Sequence, residues 1–145
     1  MVRKITRDDR EIFLALTREF YASDAVLHDV PDAYHTDAFA EMMRSQAYIS
    51  GYLIECDGAV AGYGLTARSY SHEAGGPVVW LEELCIRAEF RSRGLGSEFF
   101  RQVTEENRDA RRFRLEVEPE NVRAIALYRR LGYENLPYVQ MIRDV

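Results

Sequence analysis

The stretch Leu84-Cys85-Ile86-Arg87-Ala88-Glu89-Phe90-Arg91-Ser92-Arg93-Gly94-Leu95-Gly96-Ser97 concentrates the chain's chemistry. An apolar run leads into a basic turn, two glycines and the start of an amphipathic pattern. Helix N-termini leave N–H groups unpaired and carry partial positive charge, so they hold anions. Glycine lets backbone approach a phosphate closely and permits positive φ, and Arg91 and Arg93 add charge. The chemistry on offer is the binding of a phosphorylated ligand. A nucleoside-triphosphate loop of the form G-x-x-x-x-G-K-S/T occurs nowhere in the chain. Just upstream, Glu82 and Glu83 interrupt the most apolar strand candidate, Val78–Ile86. Carboxylates there cost stability unless they face water or a partner, and strand alternation sends the two to opposite faces. One of them in a groove could serve as a general base, and either could hold a cation.

These residues need elements to position them. Residues 2–6 read as a strand, and Asp8 or Asp9 caps a helix through Ile12, Leu16 and Phe20. Residues 22–35 read as irregular and polar. A helix over 36–46, capped by Thr36 or Asp37, turns Phe39, Met42 and Met43 inward. Strands near 47–56 and 59–68 flank the hairpin signal Asp57-Gly58, and Ser71–Pro77 reads as a loop. After Gly94 and Gly96, the residues Leu95, Phe99, Phe100 and Val103 mark a helix, and Phe113–Val117 alternates as a half-buried strand. Asn121 is an N-cap for a helix through Ile125, Leu127, Tyr128 and Leu131, closed by Gly132 at C′. Tyr138–Ile142 reads as a last strand. The order β-α-α-β-β-β-α-β-α-β(-β) predicts an α/β or α+β fold around a mixed, mostly antiparallel sheet.

Composition bounds the function. The 145 residues are 47% hydrophobic and 30% charged, which excludes a disordered or fibrous chain and fits one domain over 1–145. No apolar run is long enough for a membrane span, and the N-terminus lacks the apolar core of a signal peptide, so a cytoplasmic address is expected. Cys56 and Cys85 have no disulfide or metal spacing and read as plain thiols, and no metal-ligand cluster is visible. A net charge of −5 argues against nucleic-acid binding.

Arg91-x-x-Gly94-x-Gly96 after an apolar strand resembles the acetyl-CoA pyrophosphate motif of the GNAT N-acetyltransferase superfamily. Asn121-x-x-Ala124-x-x-x-Tyr128-x-x-x-Gly132-Tyr133 resembles the second half of that pattern, and the element order over 2–143 matches the family fold. Leu81-Glu82-Glu83-Leu84-Cys85-Ile86 and Gly96-Ser97-Glu98 look closest to diamine and polyamine acetyltransferases. The resemblance implies that the strand at Val78–Ile86 splays from the strand at Phe113–Val117. Leu84, Cys85 and Ile86 then pair with pantetheine, and Arg91, Ser92, Arg93, Gly94, Leu95, Gly96 and Ser97 cradle the pyrophosphate. Asn121 touches the pantetheine arm, and Arg129 or Arg130 reaches a phosphate. Tyr128 gives a proton to the leaving thiolate, and Glu82, with Glu83 as substitute, takes one from the amine. A homodimer is common in the family.

An acidic run without Lys or Arg extends from Glu19 to Glu41. In the family the segments here numbered 20–37 and 69–77 wall the acceptor site, so Asp24, Asp29, Asp32 and Glu73 are expected to make that wall anionic and to favour a cationic amine. His28, His35 and His72 read as surface residues. The implied activity is acetyl transfer to a small, cationic primary amine by direct attack in a ternary complex, without metal, nucleic acid or membrane. The rival readings are a protein lysine or N-terminal acetyltransferase and a non-catalytic acyl-CoA-binding module.

Overall fold

The computed structural model describes residues 1–145. Strand β1 (Val2–Lys4) and a 3₁₀ turn lead to α1 (Arg10–Tyr21) and α2 (Asp32–Arg44). Strands β2 (Ile49–Cys56), β3 (Ala59–Ser71) and β4 (Gly76–Ile86) follow, then α3 (Leu95–Glu106), β5 (Arg112–Leu115) and α4 (Val122–Arg130). The sheet has the order β1-β2-β3-β4-β5, antiparallel except for the parallel pair β4/β5. The mixed, mostly antiparallel sheet and the alternation of strands and helices agree with the expected class.

Each sheet face carries its own core. Phe13, Leu16 and Phe20 of α1 and Phe39 and Met42 of α2 pack on Leu53, Tyr63 and Leu65. On the other face Leu95, Phe99, Phe100 and Val103 of α3 pack on Tyr52, Ile54, Val79 and Leu81, with Leu127 and Tyr128 of α4 at the margin. The periodic residues of α1 and α3 are therefore the ones buried, as amphipathic helices require.

Asp9 stands at the N-cap of α1, but its carboxylate reaches back instead of capping. It accepts two hydrogen bonds from Arg3, at 2.8 and 2.9 Å, and two more from the N–H and hydroxyl of Thr6. The Arg3 guanidinium holds this carboxyl well below the usual carboxylate range, helped by Thr6 against the cost of burial. A folded-state pKa below the unfolded one stabilises the fold in full above the unfolded value of about 3.9, and the contribution is lost as pH falls through the folded value. Asp9→Asn is expected to lower unfolding free energy by about 1–3 kcal/mol at neutral pH. In urea titrations the gap between wild type and variant should narrow in strong acid.

Four expectations are corrected. Helix α2 starts at Asp32, with Pro31 at its N-cap, four residues before the expected start at 36. The inward positions of α2 are His35, Phe39 and Met42, so a histidine occupies the first apolar slot and masks the periodicity. His35 is 4% exposed and lies at 3.1 Å from the Thr17 hydroxyl, so it is no surface residue. The expected loop 71–77 shrinks to 72–75, because β3 and β4 pair out to Ser71↔Gly76. Tyr138–Ile142 forms no strand, and β5 pairs only with β4, so β5 is the sheet edge. Alternation alone does not make a strand without a neighbour to complete its ladder.

Candidate active site

Strands β4 and β5 pair from Val78↔Arg112 to Leu81↔Leu115 and then part. Beyond Leu81, β4 remains bonded to β3 on one side and has no strand on the other. An open groove of about 1370 Å³ runs through this gap. Its lining includes Leu81 to Leu84 of β4, Leu115 at the end of β5 with Glu116 to Glu118 beyond it, Asn121 at the N-cap of α4, Tyr128 of α4, and Tyr21 of α1.

The two glutamates reach this groove by a break in the pleat. Leu65 lies opposite Glu83 and Thr66 opposite Leu81, which leaves Glu82 as the extra residue of a β-bulge. The bulge shifts the alternation: Val79 and Leu81 belong to the α3-side core, and so do Leu84 and Ile86, whereas Cys85 joins the other core. Simple alternation separates Glu82 and Glu83, yet both line the groove.

Their surroundings differ. Glu83 accepts hydrogen bonds from the hydroxyls of Tyr21 (2.7 Å) and Tyr63 (2.6 Å). Burial pushes its carboxyl up, and the two tyrosines and His35 oppose that. Glu82 is exposed on the bulge and makes no hydrogen bond within the chain. The groove walls still withdraw enough water to raise its carboxyl, and the nearby Glu116 and Glu83 charges raise it further.

The turn after β4 has the features of an anion site. Ser92 (φ 63°) and Gly94 (φ 78°) take left-handed conformations, and α3 begins at Leu95. The N–H groups from Ser92 to Ser97 have no acceptor within the chain. Arg91 donates through Nε to the Ile86 carbonyl at 3.0 Å, and Arg93 bonds Asp57 at 3.0 Å while lying over the Phe90 ring. Both arginines thus shape the turn as well as charge it. Arg123, at the start of α4, bonds the Ser92 hydroxyl and joins the turn to the groove's far wall. Sequence reading missed Arg123, as no motif position marks it.

Helix α4 is placed by its ends. The Asn121 side chain accepts from the Ala124 N–H at 3.2 Å. Gly132 (φ 90°) donates to the Arg129 carbonyl, and the Tyr133 N–H donates to the Tyr128 carbonyl, the two bonds of a Schellman closure. Tyr128 packs against Phe100 (centroids 5.5 Å) and Tyr133 (6.2 Å). Its hydroxyl has no partner within the chain, and burial pushes its pKa up. Arg129 is tied to Asn135, while Arg130 is exposed and unpaired.

The acidic run does not assemble as a wall. From that segment the groove takes Phe20, Tyr21, Ala25, Val26, Leu27, His28 and Val30, and neither Asp24 nor Asp29. Asp29 bonds the Val30 N–H, Asp32 pairs with Arg18, and Glu73 pairs with Arg112. The groove's negative charge comes from Glu82, Glu83, Glu116 and Glu118 at the parting strands, with Glu134 beyond α4.

A parallel pair that splays beside a glycine-bearing turn and a helix N-terminus defines an acyltransferase of the GNAT class. The profile of the acetyltransferase (GNAT) family matches residues 10–133, and the chain belongs to that family. Among characterised proteins it is 31% identical to a thialysine N-epsilon-acetyltransferase of Bos taurus, over 94% of this chain and 85% of that one. The mouse (Mus musculus) protein of the same name is 28% identical over 93% and 84%. Among solved structures, the aminoglycoside acetyltransferase AAC(6')-Iy, in complex with a bisubstrate analogue of CoA and acetylneamine, superposes with a TM-score of 0.83. That match covers 100% of this chain and 97% of the other at 21% identity, so it speaks for the fold.

Proposed function

We propose that this acetyltransferase moves the acetyl group of acetyl-CoA to a primary amine of a small cationic acceptor, by direct attack in a ternary complex. The observation that carries the reading is the parting of β4 and β5 after Leu81 and Leu115, with unpaired N–H groups at one end of the gap and free Glu82 within it. The β4 edge from Leu84 to Ile86, where the Leu84 backbone and the Ile86 N–H face the gap and Arg91 holds the Ile86 carbonyl, suits an extended amide-bearing arm, a form of strand addition. The amides from Ser92 to Ser97, with Arg91 and Arg93 behind them, suit a pyrophosphate. Asn121 lines the groove along the arm's path, and Arg130, exposed and unpaired outside the groove lining, is the choice for a further phosphate, since Arg129 is held by Asn135. These residues fit acetyl-CoA, which supplies an activated thioester carbonyl and a thiolate leaving group.

The chain's residues supply the rest. An alkyl ammonium, with a reference pKa of about 10.4, must lose a proton before it attacks. Glu82 is the base, because it alone of the pair has its carboxylate unoccupied and its raised pKa strengthens it for that task. A backbone N–H in 84–86 faces the carbonyl oxygen as charge builds there. Tyr128 keeps its proton at neutral pH and offers its hydroxyl to the departing sulfur. A phenol is a weaker acid than a thiol of pKa about 8.5, so a hydrogen bond that strengthens as the C–S bond breaks carries most of the effect. Initial rates with both substrates varied should give intersecting lines; parallel lines would indicate an acetyl-enzyme and remove direct attack.

A homodimer belongs to the same reading. Val139, Met141 and Ile142 are 90%, 91% and 88% exposed, a segment with strand alternation and no neighbour, and the edge of β5 is likewise open. Light scattering should give twice the chain mass, and removing the residues after 136 should give a monomer. The two free cysteines suit the reducing cytoplasm, the compartment we propose for the enzyme.

A further inference from the structure

We infer that Arg123 is a cofactor-binding residue whose guanidinium holds the diphosphate of CoA from the α4 side, beside the amides of the turn after β4. This rests on the acetyl-CoA reading above. Arg123 is the second residue of α4, and its Nη2 donates to the hydroxyl of Ser92. Ser92 opens the run to Ser97 whose N–H groups have no acceptor within the chain. The guanidinium therefore stands beside the amides that suit a diphosphate. A guanidinium has five N–H donors in a planar fork, and Ser92 takes a single one of them. Neighbouring donors of such a fork match a pair of phosphate oxygens, which a point charge does not. Asn121 and Ile125 line the groove, whereas Arg123 between them does not. Its place is at the turn, with the phosphates, and not at the thioester.

The other basic groups of the turn are engaged elsewhere. Arg87 pairs with Glu19 and Arg93 with Asp57, and Arg91 turns its Nε to the Ile86 carbonyl. Arg123 makes no ion pair, and the Ser92 hydroxyl that holds it is neutral. It also stands where a cation is unfavourable. The first turn of α4 has no acidic residue, and the helix dipole places partial positive charge there. The N-terminus of α3 brings the same sign to the turn, and Glu98 in its first turn is paired with the amine of Met1. A bound diphosphate relieves this gathering of positive charge. A placement that costs the free protein stability thus strengthens the complex.

The test compares wild type and Arg123→Gln in binding CoA and dephospho-CoA by calorimetry, and pantetheine by NMR titration. Dephospho-CoA lacks the ribose phosphate and keeps the diphosphate, and pantetheine has neither. Arg123→Gln should weaken CoA and dephospho-CoA alike, by about tenfold, the size of a lost hydrogen bond between charged groups. Pantetheine should bind as before. The gap between the proteins should shrink as salt rises from about 0.1 M to about 1 M, because a charge contact is screened there. In thermal melts the free variant should be no less stable than wild type, and the rise that CoA gives should be smaller. A loss confined to CoA would place Arg123 on the ribose phosphate and overturn the diphosphate assignment. A gap unmoved by salt, or a loss that extends to pantetheine with a less stable free protein, would make Arg123 only a fastener of the turn. Equal affinities would remove it from the site. Each of these overturns the inference and leaves the acetyl-CoA reading standing. A folded wild-type protein that binds no CoA overturns that reading and the inference with it.

Discussion

Tyr128→Phe should lower kcat by about 10²-fold or more while acetyl-CoA binds as before. Positioned proton donors are worth about 10²–10⁴-fold, and 10² corresponds to about 2.7 kcal/mol of lost transition-state stabilisation. The Phe ring preserves the packing against Phe100 and Tyr133, so the helix and its Schellman closure stay in place. The hydroxyl has no partner within the chain, so its removal leaves no group unsatisfied. The loss should appear in kcat, since the departing sulfur carries charge only as the bond breaks. Calorimetry of CoA binding checks the ground state, and pre-steady-state thiol release checks the chemistry. Equal rates in the two proteins remove Tyr128 from the reaction.

Glu82→Gln should have an effect of similar size and a distinct pH signature. A base works only when deprotonated, so wild-type activity is low below the Glu82 pKa and rises as pH passes through it. Water withdrawn by the groove walls, with Glu116 and Glu83, raises that pKa from its ordinary value, which moves the acid limb toward neutral pH. In Glu82→Gln the limb should disappear, leaving a rate about 10²–10³-fold lower that climbs toward the acceptor's own pKa of about 10.4. Glu83→Gln should keep the limb, because Glu83 is occupied by Tyr21 and Tyr63. A limb that vanished in Glu83→Gln and stayed in Glu82→Gln would exchange the two roles.

Much of this site is legible in the chain. The turn from Arg91 to Ser97, the cap at Asn121 and the closure at Gly132 are local features, and local chemistry dictates them. What escapes the sequence is set by distant partners. The bulge at Glu82 exists only in the pairing of β4 with β3, and it brings both glutamates to one groove. Tyr21 and Glu83 are far apart in sequence yet share a hydrogen bond. His35 reads as polar surface until the packing of α2 on α1 turns it toward Thr17. The acidic segment shows the converse: its charge is plain in the sequence, yet Asp32 is spent on Arg18, Asp29 on local backbone, and Glu19 and Glu41 on Arg87 and Arg44, while apolar neighbours line the groove.

The most direct measurement is thiol release from acetyl-CoA across a panel of acceptors, with product masses read for each. The panel spans diamines, amino acids with a side-chain amine, neutral amines and basic peptides. The account predicts acetylated small cationic amines as the best products, with neutral and acidic amines poor. Acetylation of the peptides alone, or no acceptor-dependent thiol release from folded protein that binds acetyl-CoA, would contradict it.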